Sequence, residues 1–229
     1  MDFDLKKVLN DIKDKKKVSI SGLQRDYSIG FIIANEWFGN LYETGYISYD
    51  GTVQTEKVYE ALGLTYDPGI KIIFLDVDGV LNCSSTKDLC GCYKGIEDEK
   101  VSHLRKIIEV TDAKIVLVSS WKYHWYKDPN LKDKQDESAK YLDAKLNSQG
   151  LFVMDKTEDE SVYRGEGILE YLRCLKSKGV KVDKFVILDD EVFDYKETRL
   201  MKHLVQTSFS GGGLQEKHIF KAWEKLGVK

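Results

Sequence analysis

Two aspartates one residue apart, Asp76 and Asp78, close the apolar run Ile72-Ile73-Phe74-Leu75 and are followed at once by Gly79. A continuous apolar, β-branched run is the pattern of a strand buried on both faces. In an open α/β sheet, ligands bind where such strands end. Two carboxylates this close repel each other unless a cation or a shared proton lies between them. On this stretch alone, an ordinary strand with an Asp-Gly turn remains an equal reading. Two more runs of the same kind end in polar residues. Lys114-Ile115-Val116-Leu117-Val118 leads into Ser119-Ser120-Trp121-Lys122, and Lys184-Phe185-Val186-Ile187-Leu188 into Asp189-Asp190. In a parallel sheet all three ends share one edge. Four carboxylates and two hydroxyls converging there call for a divalent cation with oxygen ligands. Mg2+ suits a few carboxylates plus phosphate oxygens. The strand ends carry no thiol or imidazole that would favour zinc.

The elements that must hold these residues alternate. Glu97 to Val110 reads as a helix, as do Ala139 to Asn147 and a segment opened by Arg164. Leu151-Phe152-Val153-Met154 and His203-Leu204-Val205-Gln206-Thr207 read as further strands, and a last helix starts near Leu214. Strand–helix alternation predicts an α/β fold with a doubly wound parallel sheet. Residues 127–138 are polar and read as a loop, as do 83–96, and Ser210-Gly211-Gly212-Gly213 reads as a flexible loop. Cys83, Cys90 and Cys92 cluster, but no CxxC pair or nearby histidine completes a zinc set, so free thiols are expected. The 229 residues hold 42% hydrophobic residues and a net charge of −3, an ordinary globular balance with no general pull toward nucleic acid or membrane. No apolar run is long enough to span a bilayer, and the charged N-terminus lacks a signal core, so a cytoplasmic location is expected.

Residues 1–66 read as a smaller unit, 67–70 as a linker and 71–229 as the α/β domain. Leu5, Val8, Leu9 and Ile12 recur at helical spacing. Ser19 or Ser21 can cap a second helix and Ser28 a third, which Gly45 stops. Tyr46 to Val53 reads as strand, Asp-Gly turn, strand. Three helices and a hairpin make a winged helix-turn-helix. Val18-Ser19-Ile20-Ser21-Gly22-Leu23-Gln24-Arg25, Tyr27-Ser28-Ile29-Gly30-Phe31 and Leu41 to Ile47 resemble the gamma domain of FtsK-type DNA translocases, a family that reads DNA with a winged helix. That family is basic around its recognition helix. Here those places hold Asp26, Ser28, Ile32, Ile33 and Glu36, and residues 1–66 contain eight lysines and arginines against ten acids. Phosphate contacts drive nucleic-acid affinity, so the expected partner of this unit is a protein or a second copy, with DNA binding disfavoured.

The α/β domain resembles the haloacid dehalogenase superfamily of phosphohydrolases through Asp76-Val77-Asp78-Gly79-Val80, Ser119 at a strand end, a basic residue further on, and Asp189-Asp190 with Asp194. Arg164 fits the basic position, with Lys176 or Lys178 as alternatives. Val118 to Lys122, Arg164-Gly165-Glu166-Gly167-Ile168 and Leu188-Asp189-Asp190 resemble, more narrowly, the corresponding domain of Swiss army knife RNA-repair proteins, with Lys122 where that pattern has arginine. The resemblance implies Asp76 as nucleophile, Asp78 as general acid and base, Ser119 and Arg164 on the phosphoryl group, and Mg2+ held by Asp76, Asp78, Asp189 and Asp190. Gly79, Ser120, Trp121 and Lys122 are the candidate substrate contacts. Capping is the competing role for Ser120, and a local ion pair with Glu166 or Glu170 for Arg164. The intervals between motifs are too short for a large cap, which leaves an open site able to admit a polymer end or a phosphoprotein; the narrower resemblance implies a polynucleotide end or a nucleotide phosphate. A phosphoprotein or small phosphate ester, or a non-enzymatic regulator, are the alternative readings. Trp121 and Trp125, at i and i+4, read as a buried helix face as readily as a base-stacking platform.

Overall fold

The computed structural model describes residues 3–158 and 163–228. The chain forms two compact units, Met1–Asp67 and Pro68–Lys229.

The first unit packs α1 (Leu5–Ile12), α2 (Ile20–Tyr27), α3 (Phe31–Glu43) and α4 (Thr55–Ala61) around Leu9, Ile12, Leu23, Ala34, Trp37, Leu41 and Val58. Ser19 caps α2 by accepting from the Gly22 N–H. Ser28 does not cap α3. It ends α2 in the left-handed region at φ 53°, and Gly30 precedes α3 without a side-chain cap. The expected hairpin shrinks to two isolated antiparallel bridges, Ile47 with Val53 and Lys17 with Thr52. Asp50 holds this turn through Ser48 and Thr52. Trp37 is buried and Phe38 half-buried, while Phe31, Ile32 and Ile33 stay exposed.

The second unit is a five-stranded parallel sheet. Its strands are β1 (Ile70–Leu75), β4 (Lys114–Leu117), β5 (Val153–Lys156), β6 (Val182–Asp189) and β7 (Leu204–Gln206), in the order β5-β4-β1-β6-β7. Ile70, read as linker, is already the first residue of β1. The helices α5 (Asp98–Thr111), α6 (Glu137–Asn147), α7 (Arg164–Ser177) and α8 (Glu216–Lys225) complete the unit. Apolar side chains pack on both faces of the sheet, one set including Ile73 and Leu75 and the other Ile72 and Phe74. All four of these are fully buried, each burial stabilising by roughly 1.5–3 kcal/mol. The chain leaves β1 toward β4 and β5, then returns to β6 on the other side. The winding reverses beside β1, and that is where an open α/β sheet places its ligand crevice.

Three loops hold more order than their composition suggests. Within 83–96, β2 (Leu89–Cys90) and β3 (Tyr93–Lys94) make a small hairpin. Within 127–138, Pro129–Lys134 forms a 3-10 helix, started by the Asp128 carboxylate accepting from Asn130 N–H. The glycine loop is pinned: Leu214 N–H donates to the Val80 carbonyl at 2.9 Å and Ser84 N–H to that of Phe209 at 2.9 Å. Trp121 and Trp125 are both buried, but no α-helix carries them: Trp121 sits on a 3-10 turn (Ser120–Lys122) and Trp125 in irregular chain beyond it. All four cysteines are free thiols.

Candidate active site

The sheet register levels the strand ends. Leu75 pairs with Leu117 on one side and Leu188 on the other. The next residues along are therefore Asp76, Val118 and Asp189, with Ser119 one step beyond. Asp76 N–H donates to the Leu188 carbonyl at 2.9 Å and Val118 N–H to that of Leu75 at 3.0 Å. These ladder bonds lock the backbone beneath Asp76, Ser119 and Asp189, all buried.

Carboxylate oxygens of Asp76, Asp189 and Asp190 gather within 4.8 Å of one another. Arg164, the first residue of α7, answers them: its Nη1 lies 3.0 Å from Asp76 Oδ1 and 2.8 Å from Asp189 Oδ2. It hydrogen-bonds Asp189 but stands off the bonding direction of Asp76. The buried Asp76 Oδ1 thus has no hydrogen-bond partner among the described residues. Burial pushes the Asp76 carboxyl above the ordinary aspartate range. The charge of Asp189 adds to that, and Arg164 and the bond from Ser119 oppose it. Burial, then Asp189 and Glu191, raise Asp190 as well. Burial works against the Arg164 charge, but Asp76 and Asp189 outweigh it and hold the guanidinium above its ordinary value.

Arg164 is itself well supported. Its Cζ sits 4.1 Å from the Phe193 ring centroid, a cation–π contact. Asp194 takes the Gly165 N–H at 2.7 Å and the Glu166 N–H at 3.0 Å, capping α7 from 29 residues away. A Cβ on Gly165 would meet Thr198 Oγ1 at 2.5 Å, so only glycine admits this close seat. Glu170 pairs with Arg173 instead of Arg164. Lys176 and Lys178 lie at the far end of α7, roughly 18 Å along its axis. Asp189 is braced too, by the Tyr195 hydroxyl at 2.7 Å and Glu191 N–H at 3.0 Å.

Asp78 is exposed and separate from the carboxylate cluster. Asn82 Nδ2 donates to its Oδ1 at 2.8 Å and Trp121 Nε1 to its Oδ2 at 2.9 Å. Asn82 also accepts the Gly79 N–H at 2.9 Å. Gly79 has φ +74°, and a Cβ there would lie 2.2 Å from Asp190 Cγ. A side chain at 79 would therefore push Asp190 out of the cluster. Ser119, not Ser120, is the capping serine, accepting the Trp121 N–H at 3.4 Å. Ser120 is exposed. Lys122 is buried, its amine donating to Thr157 Oγ1 at 3.0 Å and the Glu158 carbonyl at 2.6 Å.

The donor set fits a hard divalent cation. The cluster offers carboxylate oxygens, one of them orphaned and buried, and Gly79 keeps the space that a Cβ would fill. Three carboxylates against one guanidinium leave a desolvated negative site that a cation would neutralise.

The reversing parallel sheet with acids at its central strand ends defines a haloacid dehalogenase-like fold. A family model described as the HAD domain in Swiss Army Knife RNA repair proteins matches residues 72–219, and the chain belongs to that family. Membership makes it a hydrolase of the phosphohydrolase kind. No curated protein and no solved structure matches the chain. Among the described residues, no helix is long and apolar enough to cross a membrane.

Proposed function

We propose that this protein is a Mg2+-dependent phosphatase acting through an aspartyl-phosphate on Asp76, with the phosphorylated end of a polynucleotide, or a nucleotide phosphate, as substrate. The observation that carries the reading is the buried Asp76 Oδ1, without a hydrogen-bond partner among the described residues and facing one guanidinium. Asp76, Asp189 and Asp190 would hold the metal, which when bound supplies charge neutralisation and orientation for nucleophile and phosphate. An Asp76 oxygen attacks phosphorus as the bond to the leaving oxygen breaks, and Asp78 gives that oxygen its proton. Asp78 then takes a proton from water. The water oxygen bonds to phosphorus, the Asp76–phosphorus bond breaks, and phosphate leaves. Asn82 and Trp121 hold the Asp78 carboxylate for both transfers. Ser119 and Arg164 offset the charge that develops on the phosphoryl oxygens. The small β2–β3 hairpin is the main insertion beside the site, which suits a substrate that extends beyond its phosphate. The family's own description, RNA repair, supports a nucleic-acid end.

We further read the first unit as a winged-helix docking module. Its exposed Phe31, Ile32 and Ile33, beside Asp26 and Glu36, favour a protein partner or a second copy over DNA.

The test is phosphate release from p-nitrophenyl phosphate and from 3′- and 5′-phosphorylated oligonucleotides, with Mg2+ or EDTA. Release that needs Mg2+ and disappears in Asp76→Asn is expected. No release from any of them by folded protein in Mg2+ would refute the reading.

A further inference from the structure

The Asp78 side of the site opens into a cleft of about 240 Å³, lined by Asp78, Tyr93, Ser120, Trp121, Tyr123, Asp136 and Ser138. Asp78 gives its proton to the leaving oxygen, so whatever is attached to that oxygen must lie on this side. The cleft is smaller than the roughly 300–1,000 Å³ that encloses a whole drug-sized ligand. It takes one ring, not an entire metabolite.

Its walls select among leaving groups. Tyr93 and Tyr123 are 69% and 47% exposed, yet both are anchored. Tyr93 pairs with Cys90 across the β2–β3 turn. That hairpin is tied down by Gly95 N–H to the Asp88 carbonyl at 2.7 Å and by the Lys94 amine to the Thr86 carbonyl at 2.6 Å. Tyr141 adds a bond to Asp88 at 2.7 Å. Tyr123 closes the 3-10 turn that begins at Ser120, its N–H donating to the Ser120 carbonyl at 3.1 Å. Exposed aromatic rings on a fixed backbone are stacking platforms that lose only their own side-chain freedom on binding. Apart from the three aromatic residues, the lining is two serine hydroxyls and two carboxylates, with no lysine, arginine or histidine among the lining residues. A second phosphate or an acidic peptide would meet Asp78 and Asp136 with no cation in the lining to offset the repulsion, since the Lys122 amine, 6.0 Å from the Tyr123 ring centroid, is engaged by Thr157 and Glu158. A neutral ring bearing N–H groups would meet acceptors.

We propose that this cleft is the leaving-group subsite and that it holds the base of the terminal nucleoside, stacked on Tyr93 and Tyr123, while the next phosphodiester points out to solvent. This deepens the phosphatase reading and rests on it.

The test compares a phosphorylated trinucleotide with the same molecule lacking its terminal base. Binding is measured on Asp76→Asn protein by fluorescence quenching, and turnover on the wild type in Mg2+. The base-bearing ligand is expected to bind roughly tenfold or more tightly. That ratio should fall to near one when Tyr93→Ala or Tyr123→Ala is added, and persist with Tyr93→Phe, since only the ring face is used. Equal binding of the two ligands, or a ratio that both alanine variants leave unchanged, overturns the subsite whether or not turnover occurs. Base-dependent binding that both alanine variants remove, with no turnover of any ester, supports the subsite and overturns the phosphatase reading instead.

Discussion

Two partly buried clusters of charge in the α/β unit are built in opposite ways. Around Glu97, one carboxylate meets one amine and a hydroxyl. Lys100 pairs with it, Thr86 donates to its Oε1, and the Cys83 thiol lies at 3.7 Å. Burial opposes the Glu97 charge, but Lys100 and Thr86 outweigh it and hold the carboxyl below the ordinary range. Around Asp76, three carboxylates gather beside one guanidinium, which pairs with two of them, and one oxygen has no hydrogen bond among the described residues. The first cluster is complete without help and ties the loop at 83–86 to the start of α5. The second is incomplete, and burial holds the carboxyls of Asp76 and Asp190 above their ordinary range. A bound cation would complete the second cluster, whereas the first needs none.

Four measurements would break or sharpen this contrast. The largest effect is expected for Asp76→Asn: phosphate release falls at least a thousandfold, about 4 kcal/mol of barrier, while the melting temperature holds or rises because one of three crowded charges has gone. A clear loss of stability would make Asp76 a structural residue like Glu97. Arg164→Ala should lower turnover and also destabilise the fold by about 3 kcal/mol, since it leaves Asp76 and Asp189 uncompensated. A denaturant melt of that variant with unchanged midpoint would contradict the pairing. Lys100→Met should destabilise by about 2 kcal/mol with kcat unaltered; reduced kcat would tie the two clusters together.

The smallest effect is that of the metal on stability. At about ten times its dissociation constant, Mg2+ should stabilise by about 1.4 kcal/mol. The sign of its pH dependence follows from Asp76. A carboxyl raised in the folded state contributes stability below its unfolded pKa and loses it as pH climbs through the folded value. Metal binding needs the ionised form. The melting shift produced by Mg2+ should therefore be larger near pH 8 than near pH 5, and absent in EDTA. A shift independent of pH would remove Asp76 from the ligand set.

The strand ends were legible because Ile72 to Leu75, Ile115 to Leu117 and Val186 to Leu188 are unbroken apolar runs, and burial on both faces leaves no other pattern. Arg164 was legible as a candidate, but its choice over Lys176 and Lys178 needed the helix axis. The clamp on Asp78 was not legible. Trp121 reaches it only because the chain takes a 3-10 turn, where helical spacing suggested a longer helix. Asp194 capping α7 joins residues far apart in the chain, beyond any local capping pattern. Ser28 misled for a physical reason: serine serves a helix start through its hydroxyl, yet here the backbone needed a left-handed residue to end α2. The helix α4 escaped notice because only Val58 of its seven residues is buried.

The central position of β1 also shapes how the chain comes together. Its two neighbours are made at very different times. The partner β4 follows after some forty residues, but β6 only after roughly a hundred. At a synthesis rate of about 5–20 residues per second, one edge of Ile72-Ile73-Phe74-Leu75 waits on the order of ten seconds for its partner. Until then the most hydrophobic strand of the protein carries unpaired backbone groups, a template for the wrong strand. A ribosome that stalls before Val182 would leave that edge open, so the strand that carries Asp76 is also a stretch of the nascent chain exposed to mispairing.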